Sequence, residues 1–321
     1  MRANLAAALL AVACSLAACG SSTPSVSVSV APVDPLPAGA QEVTEAPSAA
    51  ANVDCDREAS LAPGPQFEPG AMPAGSTMAA IVERGRLVVG VDQNTFLFGY
   101  RNPATGQLEG FDIDIAREIA RALFGDPNRI DLRVVDASQR EPALQSGQVD
   151  LVVRTFSITC ARKENVAFST VYYNANQRIL ALEGSGIDSA ASLSDRRVCA
   201  VKGTTSLAAL YALEPRPTLY GVSSWTDCLV MLQQGQVDAI STDDVVLAGL
   251  ANQDPTVELV GSSLGVEPYG IGIKKESEDL VRFVNRVLED IRQDGTWERL
   301  YNTWLRSLGP APQPPSPRYQ A

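Results

Sequence analysis

The heptapeptide LQSGQVD, Leu144–Asp150, returns almost letter for letter as LQQGQVD, Leu232–Asp238, 88 positions later. The flanks agree too: ALQSGQVDLVV in the first instance, MLQQGQVDAIS in the second. Each phrase is an apolar stretch of helical character, then a Gly, then a short apolar run. A Gly just past a helix end supplies the left-handed conformation that closes the helix. The runs that follow, Val149–Val153 and Val237–Ile240, read as buried strands. The phrase is a helix-to-strand junction, and the chain makes it twice.

Working outward, the first junction completes a β-α-β-α-β series. Arg86–Val91 reads as a strand and Phe111–Phe124 as an amphipathic helix with acids early. Ile130–Val135 is a strand and Glu141–Gln145 a short helix. The pattern restarts after Tyr173, with strands at Gln177–Leu182, Arg197–Val201 and Thr218–Val222. Helices are predicted over Thr204–Leu213, Trp225–Gln234 and, after the second junction, Asp244–Asn252. Beyond Pro268 come a strand, Tyr269–Lys274, and two helices, Glu278–Arg292 and Thr296–Leu305, read as a return to the first half. This is an α/β chain with two similar units, each offering the C-terminal edge of its strands to a ligand.

The ends are different. Residues 1–18 have a short basic start and an apolar core too short to span a bilayer, the form of an export signal. Leu16-Ala17-Ala18-Cys19-Gly20 resembles the lipobox of bacterial lipoproteins, which implies acylation of Cys19 and anchoring by lipid outside the cytoplasmic membrane. Residues 19–75 read as a flexible tether and N-terminal extension, rich in Ser, Pro and Ala at first, and the Pro-rich tail 307–321 as disordered. The formal net charge of −11 speaks against nucleic acid and against polybasic membrane contact. There is no His, so Ser-His and Cys-His catalysis and His-ligated metals are excluded. After Cys19 four Cys remain, with no CxxC spacing, and an even count in an exported chain favours disulfides. Cys199 and Cys228 fall in one half, which leaves Cys55 with Cys160; unpaired buried thiols are the alternative.

RLVVGVD, GQLEGFDIDIAREIA, SITCARKENVAFSTVYY, RRVCAVKGTTS, EPYGIGIKK and DGTWERLYNTWL, together with the two junctions, occur in order over roughly residues 80–306. They resemble the type II extracytoplasmic solute-binding proteins for polar amino acids that serve ABC importers. The long tether and the extra Cys depart from the commonest members and share the look of some actinobacterial lipoproteins. The resemblance implies a two-lobed fold with two hinge strands: lobe 1 from 76–174 plus 268–306, and lobe 2 from 175–267. It implies a free amino acid in the cleft, no cofactor, no catalysis, a permease and ATPase as partners, and a monomer.

The resemblance also assigns residues. Arg162 matches the α-carboxylate clamp, and a guanidinium suits it because its planar fork bonds both oxygens. Asp243 matches the acid that takes the α-ammonium, with Asp244 beside it as a helix-capping alternative. Thr205 matches a carboxylate contact, and Thr155 and Ser157 match further ligand contacts. Thr204 and Thr205 also open a helix, whose free N–H groups favour an anion or are simply capped. Phe98 or Phe96 is expected to form the apolar wall, or else to be core. Arg154 and Lys202 are the less generic cations. Either meets a side-chain carboxylate of the ligand, or Arg154 makes an internal salt bridge and Lys202 is solvated. The expected ligand is glutamate or aspartate, then glutamine or asparagine. A sensor reporting to a membrane signalling partner is the alternative, and a dehydratase on the same fold a more distant one.

Overall fold

The computed structural model describes residues 36–47 and 54–320. The signal segment 1–18 and Cys19 lie outside the described residues. Two sheets carry the architecture. The first has strand order 130–134, 87–91, 151–152, 272–274, 166–168; the first three run parallel and 272–274 runs against both its neighbours. The second has order 41–42, 218–222, 197–201, 239–243, 173–182, 257–269, with 218–222, 197–201 and 239–243 parallel. Each sheet is the floor of one lobe. The strands Tyr173–Leu182 and Val257–Tyr269 pair antiparallel from Tyr173↔Tyr269 to Leu182↔Val257 and carry the chain between lobes.

The repeated heptapeptide does the same work in both lobes. Gly147 and Gly235 turn the chain out of their helices at φ +73° and +67°. The Asp that follows then ties the new strand to its parallel neighbour. Asp150 N–H donates to Val88 O at 2.8 Å and its Oδ2 accepts from Val88 N–H at 2.8 Å. Asp238 N–H donates to Arg197 O at 2.8 Å and its Oδ2 accepts from Arg197 N–H at 2.8 Å. Arg84 and Arg197 add side-chain ion pairs to these carboxylates. A small side chain and two backbone groups thereby set the register of the parallel pair.

The helix Phe111–Phe124 buries Ile113, Ala116, Ile119, Ala120 and Leu123 along one face, and Gly125 closes it in the left-handed region. It begins at Gly110, φ +133°, where a Cβ would stand 2.2 Å from the Phe98 carbonyl oxygen. Glu278–Gln293 and Thr296–Trp304 pack back on lobe 1. There Asn285 Oδ1 accepts from Thr170 N–H at 2.7 Å, and Trp297 Nε1 donates to Tyr172 O at 2.8 Å.

Both expectations for the chain ends need correction. Gln41–Glu42 of the expected tether adds an edge strand to lobe 2 beside Thr218–Val222. The segment from Asp54 onward lies on lobe 1, where Ala59–Ser60 pairs with Arg318–Tyr319 of the expected disordered tail. Low hydrophobicity did not prevent ordering, because these segments add hydrogen bonds to a core that already exists. The sulfurs join Cys55 to Cys160 and Cys199 to Cys228, with Cα separations of 5.7 and 5.5 Å.

The second bridge links the strand Arg197–Val201 to the helix Trp225–Gln233 across 29 residues. Replacing Cys199 and Cys228 together by Ala should lower unfolding free energy by about 2–4 kcal/mol through the freed unfolded chain. Denaturant titration, read as a fall in extrapolated unfolding free energy with a slope that rises as the unfolded chain loses its cross-link, is the check.

Candidate functional site

Where the two lobes meet, a small, nearly filled cavity is lined by Arg140, Arg154, Thr155, Ser157, Thr204, Thr205, Ser206, Trp225, Thr242, Asp243 and Val246. Strand and helix ends place these groups. Arg154–Ser157 follow the strand Leu151–Val152. Thr204 caps the helix Thr205–Tyr211, its Oγ1 accepting from Leu207 N–H at 3.2 Å. Asp243 ends the strand Ala239–Asp243 that the second heptapeptide began.

Arg162 lies in the helix Cys160–Asn165, whose Thr159 cap accepts its N–H at 3.1 Å. Its guanidinium is buried over the Phe156 ring. It donates to Ser157 O at 2.6 Å and across the cleft to Gly203 O at 3.0 Å. Its nearest carboxylate oxygen is Glu141 Oε1, 3.7 Å from Nε. Arg140, also buried on Phe156, donates to Ala137 O, Arg154 O and Thr155 O, and at 3.0 Å to the same Gly203 O. No carboxylate among the described residues forms an ion pair with Arg140. Burial, and then the neighbouring guanidiniums Arg162 and Arg154, hold the Arg140 pKa well below its ordinary range. Gly203 makes this approach possible: at φ +76°, a Cβ there would lie 2.7 Å from Ser138 Cα.

The opposite charge is Asp243. Its Oδ2 accepts from the Tyr269 hydroxyl, while the buried Oδ1 makes no hydrogen bond. Burial, then the field of Glu267, pushes this carboxyl up to about 8, with the Tyr269 hydroxyl opposing. Glu267 Oε2 accepts from Thr205 Oγ1 at 2.8 Å, and Thr205 Oγ1 lies 3.4 Å from Ser157 Oγ. Asp244 turns away into the first turn of its helix and accepts from Asn176 N–H and its own neighbour Val245 N–H. Behind the wall, Asp112 accepts from the Tyr172 hydroxyl at 2.7 Å and from Thr155 N–H at 2.8 Å. That bond holds Thr155 at φ +39°. Burial raises Asp112 to about 7.

Four expected site residues behave differently. Arg154 reaches the cavity, but Nη2 is 3.0 Å from buried Asp92 Oδ2, so it is an internal salt bridge; only its Nε is buried without a partner. Lys202 points out of the cleft, and its Nζ donates to Gly39 O of the N-terminal segment at 2.8 Å. Phe98 is core, edge-on to Phe111, Tyr173 and Tyr269. Phe96 stacks edge-on to Tyr100 outside the lining. Trp225 and Val246 of lobe 2 are the apolar lining groups instead. The sequence reading also missed Arg140, the first residue of a helix placed one residue too late, and Glu267, in the strand Val257–Tyr269, which was read only from Tyr269 and run on to Lys274.

The fold and cleft fit the comparisons with known proteins. Residues 87–307 match the model of bacterial extracellular solute-binding proteins, family 3. The chain belongs to that family. The ABC transporter glutamine-binding protein GlnH of Bacillus subtilis is 37% identical over 231 residues, 72% of this chain and 85% of the relative. The glutamate-binding protein GluB of Corynebacterium glutamicum is 30% identical, covering 70% of this chain and 80% of its own. Among solved structures, a mutant of the arginine-binding protein ArgBP of T. maritima superposes with TM-score 0.67 at 28% identity, covering 71% of this chain and 98% of the other. The solute receptor for L-cysteine of Neisseria gonorrhoeae gives TM-score 0.70 at 29% identity, covering 72% and 94%. These relatives bind solutes; the family to which the chain belongs is one of binding proteins, not enzymes.

The two raised carboxyls give this solute-binding protein a pH signature. Asp112 and Asp243 keep protons in the folded state that an unfolded Asp, with its ordinary pKa near 4, releases. Their contribution is complete below about pH 4 and is lost as pH rises through about 7 and 8. Asp243→Asn should therefore remove part of the fall in melting temperature between pH 5 and 8.5. Scanning calorimetry without added amino acid, comparing the two curves across that range, checks it.

Proposed function

We propose that the protein captures an acidic amino acid, glutamate or aspartate before glutamine or asparagine, and delivers it to the permease and ATPase of an ABC importer. It does so outside the cytoplasmic membrane, held there by lipid on Cys19. The names of the relatives support an amino-acid ligand. The cleft supports a zwitterion. Arg162 with Thr205 and Ser157 takes the α-carboxylate. Asp243 takes the α-ammonium on its unpartnered Oδ1, assisted by Thr155.

The preference for an acid rests on one observation: two buried guanidiniums, Arg140 and Arg162, converge on a single neutral carbonyl, Gly203 O. Like charges desolvated together are costly, and an anion between them relieves the cost. Arg154 adds little to that preference, because Asp92 already neutralises it. Its unpartnered Nε accommodates any acceptor, carboxylate or amide. Asp92 leaves little for an amide N–H. Its Oδ1 accepts from Gln93 N–H and Asn94 N–H, and its Oδ2 from Thr95 Oγ1 while pairing with Arg154.

Calorimetry with glutamate, aspartate, glutamine and asparagine tests the reading; amides bound tighter than both acids would overturn it. Arg162→Ala should abolish binding of all four. The double variant Asp92→Asn/Arg154→Ala removes the ion pair without stranding a charge. It should leave the glutamate-to-glutamine affinity ratio within about twofold, whereas Arg140→Gln, which removes one of the two converging guanidiniums, should lower that ratio by about tenfold, the scale of one charge-assisted hydrogen bond in a closed cleft.

A further inference from the structure

The family match begins at residue 87, yet the helix that carries Arg162 is held by a segment that precedes it. Cys160, two residues before Arg162, is bonded to Cys55. Lys163, the residue after Arg162, donates from Nζ to Asp56 O at 2.9 Å and to Ala59 O at 2.7 Å. The chain is thus tied to one short strap on both sides of Arg162.

The strap is itself fixed at three further points. Arg57 Nη2 donates to Val266 O at 3.1 Å, on the crossing strand next to Glu267. Asn285 Nδ2 donates to Leu61 O at 2.7 Å and to Ser60 Oγ at 2.9 Å. Arg318 of the C-terminal segment pairs with Asp56 Oδ2 at 2.6 Å, and its strand runs parallel to Ala59–Ser60. The C-terminal strand, like the strap, lies outside the family match. A six-residue helix has too few internal hydrogen bonds to hold its own orientation. Arg162 must nevertheless keep a planar fork aimed at Ser157 O and Gly203 O.

We infer that the strap Cys55–Leu61 positions Arg162, with Lys163 and the Cys55–Cys160 bridge as the positioning groups. The inference rests on Arg162 being the carboxylate clamp. An untethered helix spreads the guanidinium over several orientations, and binding must then select one, which weakens affinity by the lost population.

The test uses the full chain and glutamate. Lys163→Met and, separately, Cys55→Ser/Cys160→Ser should each weaken glutamate binding by about tenfold in calorimetry, the loss expected when about a tenth of molecules hold the competent orientation. Lys163→Arg, which keeps a donor and a charge, should restore affinity to within about twofold. Hydrogen exchange should quicken in Cys160–Val166 and stay unchanged in Arg197–Val201 of lobe 2. Should the Cys variant fail to fold, Lys163→Met decides alone. Unchanged glutamate affinity in Lys163→Met overturns the inference. So does an affinity loss with equal acceleration of exchange in both lobes, which marks general loosening. Failure of the unaltered chain to bind any of glutamate, aspartate, glutamine and asparagine overturns the functional reading and this inference with it.

Discussion

Two guanidiniums of lobe 1 meet one carbonyl of lobe 2, and the rest of the cleft is arranged around that contact. Arg140 and Arg162 repel each other within lobe 1, and their burial at Gly203 needs something to offset that repulsion. Part of the answer is the Phe156 ring, whose face both cations cover. Part is Glu141, beside Arg162. The remaining counter-charge is distant: Asp243 lies across the cavity, and burial keeps its proton on near neutral pH. Lobe 1 therefore presents cations that are costly by themselves, and lobe 2 an acid that burial keeps neutral until a cation reaches it. A molecule with an anion at one end and a cation at the other lowers both costs, and it does so only when the lobes are together. On the function proposed above, recognition and closure have the same electrostatic origin.

What was legible in the chain follows from which interactions are local. The heptapeptide could be read because its Gly and Asp act within one turn and one strand: Gly147 and Gly235 need positive φ, and Asp150 and Asp238 bond the start of the adjacent strand. Arg162, Asp243, Thr205, Thr155 and Ser157 were named because they stand in contiguous phrases around these junctions; the last four line the cavity, while Arg162 lies beside it, bonded to Ser157 O and Gly203 O. The two disulfide pairings followed from placing Cys199 and Cys228 in the same half, which needs only the order of elements.

The failures are all matters of direction or distance. Lys202 adjoins the Gly203 turn, but the strand before it aims its side chain at Gly39, a partner 163 residues away in a segment read as tether. Phe98 follows a strand as a pocket wall would, yet its ring is packed by Phe111, Tyr173 and Tyr269 from three separate elements. Arg154 sits where a ligand contact would sit, and its partner Asp92 comes from the neighbouring strand's end. Nothing local in the chain distinguishes a cation facing a ligand from one facing Asp92. The Pro-rich ends were misread for the opposite reason. Their composition excludes a core of their own but permits hydrogen bonding to a finished one, as Ala59–Ser60 and Arg318–Tyr319 do.

The end of the second crossing strand joins these observations. Tyr269 pairs through its backbone with Tyr173 on one side and Ser157 on the other, and its hydroxyl reaches Asp243. Two residues earlier, on the same face of the strand, Glu267 accepts from Thr205. Between them Pro268 donates no hydrogen bond, but its carbonyl accepts from Ile158 N–H at 2.8 Å. Three consecutive residues of the hinge thus touch the acid of lobe 2, the helix start of lobe 2 and the loop of lobe 1 that bears Ser157. A ligand that satisfies Asp243 Oδ1 lowers the proton affinity of that carboxyl and strengthens the bond it accepts from Tyr269. The hinge is consequently not a passive axle outside the site. Its last turn of strand forms one wall of the charge system, so any rotation of the lobes about it changes the distances on which Asp243, Glu267 and Thr205 depend.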